Sequence, residues 1–177
     1  MQLTAWFYDP TADRQGWINK LIAKLDGPFC HVELQFPDST ACTVYLGSEV
    51  VLKQRSFNNA CYSAVAIPCT PMQCQAARRV ADRLHEARVP CSALDMTSCL
   101  FNVEMCPSST FCSKLVGQVL VESGIIDLEF RTISPSMLHR RLSVAGSAST
   151  RPGPCVTRST STRPGLCLAQ SAPLDFR

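Results

Sequence analysis

Hydrophobic positions recur along this chain with two different periods, two residues in some segments and three to four in others, which predicts a mixed α+β domain. Residues 3–8 read as a strand, and so do residues 29–36, where apolar Val32, Leu34 and Phe36 alternate with polar His31, Glu33 and Gln35. Residues 43–45 and 49–52 predict the arms of a hairpin around Gly47-Ser48, and residues 62–67 a further strand. Helical spacing predicts a helix over 13–25, with Trp17, Leu21, Ile22 and Leu25 on one side. A second helix is expected over 71–88, rich in Ala, Arg and Gln and stopped by Val89-Pro90. Residues 96–103 fit neither period. A third helix follows Ser109 or Thr110 as cap, with Phe111, Leu115, Val119 and Leu120 as its buried stripe and Gly124 as its stop. Residues 134–142 predict a last short helix capped at Ser134.

The pattern breaks after Leu142. Ser149-Thr150-Arg151-Pro152-Gly153-Pro154-Cys155 recurs nearly intact as Ser161-Thr162-Arg163-Pro164-Gly165-Leu166-Cys167. A Ser/Thr/Pro/Gly-rich unit of this kind buries too little apolar area to offset its ordering entropy. The expected organisation is therefore one folded domain over 1–142 and a disordered tail over 143–177.

Charge and composition narrow the function classes. The formal net charge of +3 resides entirely in the tail, which carries four arginines and one aspartate. No aromatic residues are interleaved with those arginines, so a nucleic-acid partner is not expected. No run approaches the length of a membrane span, and the N-terminal stretch reads as a strand rather than a secretion signal. The 11 cysteines are odd in number and contain no Cys-x-x-Cys pair, and the 3 histidines are scattered. That excludes a zinc site on spacing grounds and predicts reduced thiols in a cytoplasmic compartment, without a metal or organic cofactor.

Two short stretches carry chemistry. Cys112 is placed in the first turn of the third helix, where free amides and the helix dipole favour thiolate. His31 and Glu33 share one strand face with Cα atoms roughly 6.6 Å apart, close enough for the carboxylate to hold one imidazole nitrogen while the other faces a sulfur. Read singly, each residue has a plainer role: a buried apolar thiol, a satisfied strand histidine, a solvated surface charge.

The order of the motifs adds to this. A strand histidine in Gly27-Pro28-Phe29-Cys30-His31-Val32-Glu33-Leu34, followed much later by Phe111-Cys112-Ser113-Lys114-Leu115-Val116, resembles the circularly permuted NlpC-type cysteine hydrolases. These form a papain-like branch that includes the lecithin retinol acyltransferase-like enzymes. Trp17-Ile18-Asn19-Lys20-Leu21-Ile22 is similar to the helix before the family's histidine strand, and Ile133-Ser134-Pro135-Ser136-Met137-Leu138 to the segment after its cysteine helix. The resemblance covers about residues 1–142. It implies a permuted papain-like fold, a small antiparallel sheet packed against helices.

The resemblance also implies Cys112 as nucleophile, His31 as general base, Glu33 as orienting carboxylate and the Cys112 amide as an oxyanion donor. The implied activity is a thiol hydrolase (amidase or peptidase) or an acyltransferase, acting through an acyl-thioester on a small amide, peptide or acyl-ester substrate. Viruses and phages carry relatives of this kind. The alternative is a catalytically inactive viral or structural binding protein that keeps the fold and groove, placed in the host cytoplasm or the virion. Two departures touch the substrate pocket. Lys114 stands where members often have an acid, and Ser92-Ala93-Leu94-Asp95 lacks the tyrosine that many place before the aspartate.

Overall fold

A computed structural model describes residues 1–11, 24, 27–98 and 104–148. Five strands, β1 (Gln2–Tyr8), β2 (His31–Gln35), β3 (Thr40–Thr43), β4 (Val51–Gln54) and β5 (Tyr62–Pro68), form one sheet. Its order is β4-β3-β2-β1-β5, and every neighbouring pair is antiparallel. Four helices follow: α1 (Pro71–Glu86), α2 (Ala93–Ser98), α3 (Cys112–Glu122) and α4 (Pro135–Ala148). The α+β class and the small antiparallel sheet are as the sequence predicts. The helix expected over 13–25 lies outside the described residues.

One face of the sheet makes the core. Leu3, Ala5 and Phe7 of β1, Val32 and Leu34 of β2 and Cys42 of β3 are buried against Leu115, Val116, Val119 and Leu120 of α3. Leu138 and Leu142 of α4 and Cys74, Ala77, Ala81 and Leu84 of α1 complete the cluster. The period-two alternation that buries these residues turns Trp6, His31, Glu33 and Gln35 to the opposite face. There Trp6 stacks on Phe57 with ring centroids 4.8 Å apart, and Trp6 Nε1 donates to Gln35 Oε1 at 2.8 Å.

Local sequence fixes the helix ends. Thr70 caps α1 in a full capping box with Gln73, and Pro71 takes the first helical position, where its missing N–H is not needed. The amides of Gly124 and Ile125 bond the carbonyls of Val121 and Leu120, which closes α3 with a left-handed glycine at φ 67°. Ser134 caps α4 as expected, its Oγ accepting from the Met137 amide at 3.3 Å. Two expectations fail. Phe111, not Ser109 or Thr110, is the N-cap of α3 and offers no side-chain bond. The helix predicted to end at Leu142 runs on to Ala148. Among the described residues no helix is long and apolar enough to cross a membrane.

Candidate active site

α3 packs against β2, so the helix that begins at Cys112 and the strand that begins at His31 meet. The meeting point is set by a gap in the sheet. β3 pairs with β2 only at Leu34 and Gln35, which leaves the first part of β2 without a ladder partner on that side. Cys112 packs in the buried core cluster with Val32, the residue after His31, and so lies against the face of β2 opposite to the His31 ring. Cys112 is itself only 6% exposed.

The loop that leads to Cys112 is held by ions. Lys114 Nζ lies 2.8 Å from Asp95 Oδ2 and 2.8 Å from Glu104 Oε1, and it is almost fully buried. Asp95 Oδ1 in turn accepts the amides of Met105 and Cys106 at 3.1 and 3.2 Å. A parallel bridge between Cys91 and Thr110 adds a main-chain tie two residues before the thiol. Lys114 and Asp95 are thus partners across the helix start, which accounts for a lysine at a position where the resemblance expects an acid. Behind the helix start, Ser113 Oγ donates to the Ile133 carbonyl at 2.7 Å.

His31 is half-buried and lies on the outer face of the sheet. Its ring stacks on Tyr45 with centroids 5.1 Å apart, and Nε2 meets Thr43 Oγ1 at 3.2 Å. The expected bond from Glu33 is not made. Glu33 Oε1 is 3.7 Å from Nε2, beyond hydrogen-bond reach, because two other groups hold it. Arg55 Nη2 donates to Oε1 at 2.7 Å and Tyr45 Oη at 3.3 Å. Arg55 Nη2 also donates to Tyr62 Oη at 3.1 Å. Glu33 is fully buried, and among the described residues its Oε2 has no hydrogen-bond partner, nor has Arg55 Nε.

Electrostatics run against a preformed ion pair. Burial pushes the Cys112 thiol up to about 12, outweighing the main-chain contacts with Val32 and Ser113 that pull it down. The expected thiolate at the helix start is therefore overturned by desolvation. Burial, then Arg55 and Lys53, hold His31 down at about 4. Glu33 is raised, burial outweighing the opposing pull of Arg55. At neutral pH the thiol and the imidazole are both uncharged, and no hydrogen bond joins Cys112 Sγ to either ring nitrogen.

Of the three residues singled out from sequence, His31 and Glu33 share the outer face of the sheet, while Cys112 lies in the core cluster against the other face and is not brought together with them. Thr43, Tyr45, Arg55, Asp95 and Lys114 complete the surroundings and were not readable as such. Only Asp95 and Lys114 left a trace, as departures from the family pattern. Among the described residues no group of three or more His, Cys, Asp and Glu could hold a metal ion. Comparison with protein-family models, with curated proteins and with solved structures gives no match.

Proposed function

We propose that this chain is a permuted papain-like, NlpC-type cysteine hydrolase or acyltransferase that works through an acyl-thioester on Cys112. The observation that carries this reading is the packing of α3 on β2, which puts Cys112 in one core cluster with Val32, the residue after His31, beside the stretch of β2 that β3 leaves unpaired. The imidazole reaches the sulfur around that edge as substrate enters, since catalytic hydrogen bonds are often long in the free enzyme.

A neutral thiol and a neutral imidazole suit a general-base mechanism. His31 takes the thiol proton as Cys112 attacks the substrate carbonyl, then returns it to the leaving amine or alcohol. Thr43 holds Nε2, which leaves Nδ1 as the nitrogen for proton transfer with the sulfur. The nearby Glu33 carboxylate stabilises the imidazolium through space, and the Cys112 amide bonds the oxyanion. Water or a second acceptor then resolves the thioester. The substrate is a small amide, peptide or acyl ester, no metal or organic cofactor takes part, and a reducing cytoplasmic compartment keeps the thiol free.

The alternative, a binding protein that keeps the fold without turnover, is favoured by one observation. Glu33 is tied to Arg55 and Tyr45 rather than to the imidazole. Incubation with a mixed panel of amides and esters, followed by intact-mass detection of an acyl adduct on Cys112, separates the two. An adduct absent from Cys112→Ala and lost with His31→Ala is the expected result. Complete absence of adduct and turnover across the panel sinks the enzyme reading in favour of the binding protein.

A further inference from the structure

The start of α1 holds a pair of cysteines, remote in sequence from Cys112. Thr70 is its N-cap and the capping box with Gln73 is complete, which makes Cys69 the residue before the cap and Cys74 the fourth helical residue. Those two positions are the ones whose side chains meet in a hydrophobic staple, the contact that sets the angle at which a chain enters its helix. Apolar residues usually occupy them. Here both are thiols, Cys74 within the buried core cluster and Cys69 packed against it.

Each backbone is fixed. The Cys69 amide bonds the Met1 carbonyl at 3.0 Å, beside the end of β5, and the Cys74 amide bonds the Thr70 carbonyl at 2.9 Å. Access is also present. Cys69 is half-buried, and Cys74 lines a solvent-open cavity of about 510 Å³ together with Phe36, Met72 and Arg78.

We propose that Cys69 and Cys74 are an oxidisable pair that closes to a reversible intrachain disulfide, a covalent form of the staple that locks α1 to the end of β5. The oxidant is a hydroperoxide. The Cys69 thiolate attacks one peroxide oxygen, the O–O bond breaks, an S–O bond forms, and the departing hydroxide takes a proton to become water. The Cys74 thiolate then attacks the sulfenic sulfur, the S–S bond forms, the S–O bond breaks and a second water leaves. Both sulfurs are oxidised and the peroxide is reduced to two waters. Burial and the neighbouring Cys74 thiol hold Cys69 above its ordinary value, so the first step speeds up as pH rises through the alkaline range.

The test uses the full chain, fully reduced, exposed to hydrogen peroxide, alkylated with N-ethylmaleimide and mapped by peptide mass spectrometry. Cys69 and Cys74 are expected to escape alkylation together, in one peptide lighter by two hydrogens, and dithiothreitol to restore both. In Cys74→Ser, Cys69 is expected to stop at a sulfenic acid trapped by dimedone. A sulfenic acid that persists on Cys69 of the unsubstituted chain, with Cys74 still open to alkylation, overturns the proposal. So does alkylation of one cysteine without the other, or a disulfide from Cys69 to Cys61 or to a second chain.

Discussion

Lys114 carries its charge into the interior because two carboxylates meet it there. With the side chain almost fully buried, removal of the ammonium leaves Asp95, 1% exposed, without its cation. Breaking a buried pair from one side costs about 3–5 kcal/mol, since the remaining charge has no water to replace its partner. Lys114→Ala is expected to lower the unfolding free energy by that amount in urea titrations. Lys114→Met combined with Asp95→Asn should be milder than the sum of the single changes, because the orphaned charge is removed as well. Thr43 offers a subtler test at the same scale. Its hydroxyl is the group that bonds the His31 ring, so Thr43→Val should reduce acyl-enzyme formation about tenfold, the worth of one neutral hydrogen bond. Glu33→Gln should cost less than His31→Ala, because its carboxylate acts on the imidazole only through space. A Thr43→Val chain that acylates at the full rate removes Thr43 from the positioning role.

α3 is buried over most of its circumference, as befits a helix between a sheet and two other helices. Its tightest point is Gly117, where an added Cβ would lie 2.5 Å from the Cβ of Phe130. Two effects compete in Gly117→Ala. Helix propensity favours alanine by about 1 kcal/mol, while overpacking against a side-chain root costs about 1–3 kcal/mol. The clash wins because Phe130 meets the new methyl at its own Cβ and has no flexible end to withdraw. Gly117→Ala is expected to destabilise the chain by about 1 kcal/mol, and the same change in a Phe130→Gly background, which removes the clashing Cβ, to stabilise it. Thermal midpoints of the four proteins decide the sign. The elements whose ends carry local chemistry were the ones readable from sequence. Thr70-Pro71-Met72-Gln73 announces α1, Gly124 announces the end of α3, and Ser134 the start of α4. The cap of α3 was not readable, because the Ser109 hydroxyl donates to the Cys106 carbonyl and that of Thr110 to the Phe111 carbonyl. Both are polar residues at a helix start, and tertiary contacts take both away from it.

The same division holds for the whole molecule, since His31 and Cys112 announce themselves by pattern and the groups that set their charge do not. Arg55 reaches Glu33 from 22 residues further along the chain, across a sheet whose register no local signal gives. Around the His31 imidazole and the buried thiols the assembled fold disfavours the charged form on both sides of neutrality, and stability against pH should report it. His31 falls from its ordinary 6.5 to about 4 in the folded chain, chiefly through burial. Between those values the unfolded chain binds a proton that the folded chain refuses. Stability is therefore full above about pH 6.5 and is lost as pH falls toward 4, by about 2–3 kcal/mol. His139, lowered by burial, adds to the same limb, while Glu33, raised by burial, opposes it. The alkaline limb belongs to the thiols. Cys30, Cys42 and Cys112 rise from 9.0 to about 12, mainly through burial, so their contribution is complete below pH 9 and fades as pH climbs through the folded values. Urea midpoints measured under reducing conditions should form a plateau between about pH 6.5 and 9, with a fall on either side. His31→Gln should flatten the acid limb and leave the alkaline one unchanged, and Cys42→Ala should do the reverse. An acid limb identical in His31→Gln and the parent chain means that the imidazole ionises freely in the fold, and with it goes the neutral base on which the proposed acyl-transfer chemistry relies.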